Sequence, residues 1–376
     1  MPRILLVTGE ASGDLHGANL ARELRVLCPT IELVGVGGSK MQAAGVTLLP
    51  GIERLDMMGL PGPAQLRTAV RNYAAITRYL RGTSLDAVVF IDHPGLNLRL
   101  ARTAKRDKHR VIYYIAPQIW AWNPGRIRLI SRVVDRMIVI LPFEEALFRQ
   151  AGVPCDFVGH PLLDAMAPFY DRIEIRRRYG FDGSAQLLGL LPGSREREVR
   201  SLLPSMLRAA RRLTQRYPGI QPVMAQAGSI KDDLIESLSY NHDVKLRVIK
   251  DQPNEVMAMS DLLFVASGTA TLQAAVIGTP MIIVYRAAWP TYWAARLLIR
   301  IRCIGLVNIV AGRLIVPELI QREVTPERLT KEAAHLLQDR DASGRMRDAL
   351  RVVKASLGTP GASRRAASVV LKECGT

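Results

Sequence analysis

The chain has 376 residues, 48% of them hydrophobic, which is enough to fill two α/β cores and excludes a disordered chain. Lysine and arginine exceed the carboxylates by 17, so the partner is anionic: nucleic acid, acidic lipid or a phosphorylated ligand. Four scattered cysteines, Cys28, Cys155, Cys303 and Cys374, exclude a disulfide scaffold and a Cys-x-x-Cys zinc site, and suit a reducing cytoplasm.

In chain order, the pattern is strand, loop, helix, repeated. Met1–Arg3 leads straight into the apolar run Ile4–Val7, with no leader pattern before it. A glycine-bearing turn and a helical stretch, Leu15–Leu27, follow. Leu33–Val36, Ala87–Ile91, Val111–Ile115 and Met137–Leu141 read as further strands; the wholly apolar Ala87–Ile91 suits a buried parallel strand. A second series begins at Leu187–Leu191 and continues through Val223–Ala225, Leu246–Ile249, Leu262–Ala266 and Met281–Tyr285. From Pro326 the pattern is helical to the end, with a break at Gly358–Gly361. The alternation predicts parallel sheets covered by helices on both faces. Residues 1–168 are expected to form one α/β domain and 169–345 a second. Residues 346–376 form C-terminal helices able to pack back on the first domain, and Ala167–Gly183 reads as the connection. No apolar run reaches the roughly 18 residues of a membrane-spanning helix.

In open α/β sheets, ligands bind beyond the carboxyl ends of the strands, so chemistry is sought in the residues that follow each one. After the first strand comes Gly9-Glu10-Ala11-Ser12-Gly13-Asp14-Leu15-His16-Gly17, whose glycines permit close approach of a ligand to a helix N-terminus. The spacing is not that of a nicotinamide site, and Glu32 opens the second strand rather than closing it. Asp92, at the exit of Ala87–Ile91, is either a general base or the cap of the next helix. Trp120 and Trp122, in the loop Ala116–Asn123, either stack on sugar or lipid or cover the sheet edge. Leu191-Pro192-Gly193-Ser194-Arg195 offers backbone donors and a guanidinium with fork geometry for phosphate. Ser267-Gly268-Thr269 offers N–H and O–H donors for a diphosphate, or else simply caps its helix. The loops divide the labour: nucleotide diphosphate in the C-terminal domain, acceptor in the N-terminal one. The Gly9–Gly17 loop then faces donor sugar and acceptor near Asp92, leaving the phosphates to the Pro192 loop.

These motifs, with Ile91-Asp92-His93-Pro94 and Asn97, Leu141-Pro142-Phe143-Glu144, Gly159-His160-Pro161, Ala270-Thr271-Leu272, Asn308–Arg313 and Val316–Gln321, resemble those of bacterial lipid-A-disaccharide synthase, in the same order. The resemblance implies two facing Rossmann-like domains of the GT-B glycosyltransferase type and an inverting reaction without metal or other cofactor. It implies transfer of 2,3-diacylglucosamine from its UDP conjugate to 2,3-diacylglucosamine 1-phosphate, on the cytoplasmic face of the inner membrane. By the same resemblance Asp92 is the base, and Arg195 stabilises the departing UDP. Gly9, Glu10, Ser12, Gly13, Asp14, Asn97, Trp120 and Trp122 contact substrate. Gly193, Ser194, Ser267, Gly268, Thr269, Thr271, Gln273 and Asn308 hold the nucleotide. The sequence departs from the family at Gln273, where a glutamate is usual, and at Val307, where a proline is. Asp339-Arg340-Asp341 mimics a metal motif but reads as a helix boundary.

Acylated substrates require a bilayer surface. Met57–Val70, with Met58 and Leu60, is one candidate for receiving acyl chains. The aromatic and basic stretch Trp289, Tyr292, Trp293, Arg296, Leu297, Arg300 and Arg302 is another. Two rival readings remain at this stage: another UDP-sugar enzyme of the same fold, an epimerase or peptidoglycan-type transferase, and a basic nucleic-acid-binding protein. A homodimer is compatible with all of them.

Overall fold

The computed structural model describes residues 1–52, 63–122, 124–240, 242, 244–288 and 303–375. The chain forms two units: Met1–Ala165 with Leu357–Thr376, and Met166–Ser356. The divisions fall at 165/166 and 356/357, where the sequence suggested 168/169 and 345/346. The candidate segments around Met58–Leu60 and Trp289–Arg302 lie outside the described residues.

The first unit is built on a seven-stranded parallel sheet in the order β3-β2-β1-β4-β5-β6-β7. Its strands are β1 (Arg3–Thr8), β2 (Glu32–Val36), β3 (Thr47–Leu48), β4 (Ala87–Ile91), β5 (Val111–Tyr114), β6 (Arg136–Val139) and β7 (Cys155–Phe157). All five residues of β4 are fully buried, as expected of a central strand covered on both faces. On one face lie α1 (Ala11–Leu27), α2 (Ser39–Ala43) and the C-terminal helix, Ala362–Glu373, which packs along α1. On the other lie α3 (Pro63–Gly82), α4 (Pro94–Arg106), α6 (Ile127–Val133) and α7 (Pro142–Gln150); the short α5 (Ile119–Trp122) precedes α6.

The second unit repeats the plan with six parallel strands, β10-β9-β8-β11-β12-β13. They are β8 (Gln186–Leu191), β9 (Ile220–Gln226), β10 (Arg247–Lys250), β11 (Leu262–Ala266), β12 (Met281–Tyr285) and β13 (Glu318–Ile320). Ala167–Gly183 is more than a connection, because it contains a short helix, Arg172–Arg178. Asp171 caps that helix by accepting from the amides of Ile173 and Glu174 at 2.9 and 3.0 Å. Arg176 turns inward, donating to the carbonyls of Met259 and Ala185 and to Asp261, which ties the helix to the second core. Asp339 caps the last long helix of this unit through the amide of Ala342 at 2.8 Å.

In both sheets the chain winds outward from one strand, then returns to wind the other way. The reversal lies between β1 and β4 in the first unit, and between β8 and β11 in the second. Register places Thr8 beside Ile91, and Leu191 beside Val265, so the loops leaving each pair emerge side by side.

The return of the C-terminal helix is fixed by Glu373. Its carboxylate is 4% exposed and held by Arg136 at 2.7 Å and by Arg110. Because the arginines are partly solvated, the clasp falls between surface and buried ion pairs in strength. Glu373→Ala is expected to lower stability by about 2 kcal/mol, read as a lower urea midpoint with an unchanged slope.

Candidate active site

In the first unit, β1 and β4 exit under the first turn of α1. Close packing dictates the glycines there: a Cβ on Gly13 would come within 1.8 Å of the Thr8 hydroxyl, and one on Gly9 within 2.9 Å of the His93 ring. Asp92 and His93 both take left-handed backbone, with φ of 52° and 38°, an unfavourable conformation for residues other than glycine. Two side chains hold the backbone there. Asn97 Nδ2 donates to the carbonyls of Ile91 and Asp92 at 3.1 and 2.9 Å, and the Tyr113 hydroxyl donates to the Asp92 carbonyl at 2.6 Å. The strained turn presents the half-buried Asp92 at the sheet's carboxyl edge.

Around it gather four buried polar atoms with no hydrogen-bond partner among the described residues: Thr8 Oγ1, His16 Nδ1, His93 Nδ1 and Asn97 Oδ1. Each costs about 1–3 kcal/mol where it serves no purpose, so their concentration marks a place kept for function. Burial pushes the His16 imidazole below its usual range, partly offset by the Asp92 carboxylate. Burial likewise pushes His160 down to about 4, and its Nδ1 accepts from the Leu162 amide at 3.1 Å. Both rings are therefore neutral near pH 7. In the sequence the one signal for these histidines is their place just beyond strand ends.

Glu10 sits beside His93, 3.8 Å from Nε2, and Ser12 is exposed in the first turn of α1. Asp14 is different. It is 2% exposed and accepts from the amides of Gly38, Lys40 and Met41 at 2.8, 3.2 and 3.1 Å, capping α2. Asn97, fully buried, braces the Asp92 turn. The Asp14 carboxylate is thus engaged with backbone amides, whereas Asn97 commits its Nδ2 to the turn and leaves its Oδ1 without a partner among the described residues.

Trp120 leaves β5 in the strained turn after Ile115, whose φ is 63°. Its Nε1 donates to Glu144 at 3.0 Å, and its ring meets Phe143 edge-on at 5.1 Å. The backbone of Trp122 ends α5. Glu144 is 1% exposed, and its other oxygen accepts from the Leu141 amide at 3.3 Å.

The second unit holds a cavity of about 360 Å³ where β8 and β11 exit, within the usual range for a small-molecule site. It is lined by Gly193, Ser194, Arg195, Ser267, Gly268, Thr269 and Gln273. Two helices start at it, Glu196–Arg216 after Arg195 and Thr269–Ile277 after Gly268. Their N-terminal amides and partial positive charge suit a phosphate group. Gly193 has φ of 115°, and a Cβ there would lie 2.3 Å from a Glu198 oxygen, so only glycine fits. Arg195, 64% exposed, pairs with Glu198 at 2.9 Å. Gln273 lines the cavity, and its amide nitrogen donates to Asn254 Oδ1 at 3.1 Å.

Thr271 and Asn308, expected at the nucleotide, make internal hydrogen bonds. The Thr271 hydroxyl is buried and donates to the Gly268 carbonyl at 2.8 Å, shaping the turn. Asn308 is buried with both ends of its amide used, accepting from Ile315 and Val316 and donating to Val316 and Glu318. A motif amide reads the same in sequence whether it grips ligand or backbone.

Two Rossmann-like parallel-sheet units, each with a crevice where the winding reverses, define the fold class, that of the GT-B glycosyltransferases. Structural neighbours share the fold. The UDP-GlcNAc 2-epimerase from Neisseria meningitidis, solved with UDP-GlcNAc, matches with a TM-score of 0.64 at 14% identity, over 98% of this chain and 100% of its own. The glycotransferase of kitacinnamycin matches at 0.62 and 16% identity, over the whole of both chains. Sequence comparison is more specific. Residues 4–372 match the lipid-A-disaccharide synthetase family. The lipid-A-disaccharide synthase of Geobacter metallireducens is 41% identical over 99% of this chain and 97% of its own. That of Syntrophus aciditrophicus is 42% identical over 98% and 97%. The chain belongs to the lipid-A-disaccharide synthase family.

Burial pushes the Glu144 carboxyl up to about 7, opposed by its hydrogen bonds from Trp120, Leu141 and Ile140. An acid raised on folding favours the folded state fully below its unfolded value near 4.5, and that contribution fades as pH rises to about 7. Relative to Glu144→Gln, the wild type is expected to lose on the order of 3 kcal/mol between those limits, measured by urea unfolding across pH.

Proposed function

We propose that the chain transfers 2,3-diacylglucosamine from its UDP conjugate to 2,3-diacylglucosamine 1-phosphate with inversion. The products are the β-1,6-linked disaccharide 1-phosphate and UDP. The observation that carries the role assignment is the pairing of a strained, presented Asp92 with a separate cavity rich in backbone donors. Asp92 accepts the proton of the acceptor 6-hydroxyl as that oxygen attacks the anomeric carbon. The bond from this carbon to the diphosphate oxygen breaks, and UDP leaves with the electron pair. The amides opening the helices at Arg195 and Gly268, with the Arg195 guanidinium, receive the charge gained by the diphosphate. Arg195 exchanges its Glu198 partner for phosphate, which the exposure of its side chain permits. Gln273 faces the ribose and offers an amide oxygen where the family usually has a carboxylate. Glu10, Ser12 and Trp120 line the acceptor side. The acyl chains place the protein at the inner surface of the inner membrane; no described helix is long and apolar enough to cross one.

The test is turnover in detergent micelles with both acyl-sugar substrates. Disaccharide 1-phosphate and UDP are expected in equal amounts. Asp92→Asn is expected to lower kcat by a factor on the order of 10² or more while UDP affinity stays within about twofold. A folded wild type that yields no disaccharide would defeat the reading, and near-normal turnover by Asp92→Asn would remove that residue as the base.

A further inference from the structure

The positive charge of the first unit is concentrated on one side. Residues 63–133 contain 13 lysines and arginines and only three acids, Asp86, Asp92 and Asp107. The stretch includes α3, α4 and α6, which pack side by side on one face of the sheet; of its cations Arg110 is engaged elsewhere, with Glu373 of the C-terminal helix. Each helix buries an apolar stripe: Ile76 and Leu80 from α3, Leu100, Ala101 and Ala104 from α4, Ile130 and Val133 from α6. The opposite stripes are arginine. Arg67, Arg71 and Arg78 follow at i, i+4 and i+11 on α3. Arg99, Arg102 and Arg106 follow at i, i+3 and i+7 on α4, and Arg128 and Arg132 at i and i+4 on α6. All eight are exposed. Asp107 pairs with Arg81 and Arg106 at 3.8 and 3.5 Å, and Asp135, just beyond the stretch, pairs with Lys105, which still leaves the eight stripe arginines in excess.

We propose that this three-helix arginine face docks the protein on an anionic bilayer surface. The proposal rests on the reading that the substrates are membrane-borne, and it names the surface that meets the membrane. Three observations favour lipid headgroups. The cations are spread over three helices, which fits an extended anionic plane. Val70, 62% exposed, lies among the α3 arginines as an apolar group able to enter the interface. Single-stranded nucleic acid calls for aromatic platforms, whereas Tyr73 and Tyr79, the described tyrosines of α3, pack against the core.

The test is co-sedimentation with vesicles of equal parts phosphatidylglycerol and phosphatidylcholine, and with phosphatidylcholine alone. Binding to the mixed vesicles is expected, weakened by salt and absent with the neutral lipid. Replacing Arg78, Arg102 and Arg132 by Glu is expected to lower the partition coefficient roughly a hundredfold or more, at about tenfold per one to two charges removed. The same residues replaced by Gln give a smaller loss, with less risk to folding. Replacing Arg208, Arg212 and Arg216 by Glu, on the long helix of the second unit, changes binding little. Turnover in micelles is retained by both α-face variants, so loss of docking is distinguished from loss of catalysis. Undiminished vesicle binding by the folded Gln and Glu variants would overturn the proposal. So would wild-type binding to a single-stranded oligonucleotide with none to anionic vesicles.

Discussion

The arrangement depends on one topological constraint, reversal of winding at two strand pairs. A parallel strand needs a crossover, and crossovers that depart in opposite directions leave a crevice at the carboxyl edge that no connection fills. Here the crevices lie beside β1 and β4, and beside β8 and β11. The chain spends its glycines and strained residues at these edges. Gly9, Gly13 and the left-handed Asp92–His93 pair serve the first; Gly193 and Gly268 serve the second. The interior that supports them is conventional, with β4 and β11 buried along their lengths.

The two crevices differ chemically. The second offers amides and one guanidinium, and so answers negative charge. The first offers a carboxylate, neutral imidazoles and polar atoms without partners among the described residues, a chemistry suited to hydroxyl groups. Stability is given up there: unpartnered atoms and strained backbone are unfavourable, and the surrounding sheet must hold them. Glu144 belongs to the same pattern, a buried carboxylate whose hydrogen bonds hold the Trp120 loop beside the exit of β5.

Much of this was legible in the sequence. Ala87–Ile91, Leu262–Ala266 and Met281–Tyr285 match the observed strands to the residue, because fully buried parallel strands are unbroken apolar runs. The loops that follow them were identifiable for the same reason. Short edge strands such as Thr47–Leu48 and Glu318–Ile320 were not, since two or three residues carry no period. The charged run around Arg176 read as linker because sequence does not reveal a guanidinium turned inward onto carbonyls. The backbone bonds of Asp14, Asn97, Thr271 and Asn308 are hidden in the sequence for a related reason: only the fold brings their partners within reach.

The central claim, that the crevice beside β8 and β11 receives the diphosphate, is tested most directly by amide hydrogen exchange with and without UDP. Protection is expected at 193–197 and 267–271, the turns opening the two helices, with little change at 9–17. Protection confined to 9–17, or absent from both turns of the second unit at saturating UDP, would contradict the account.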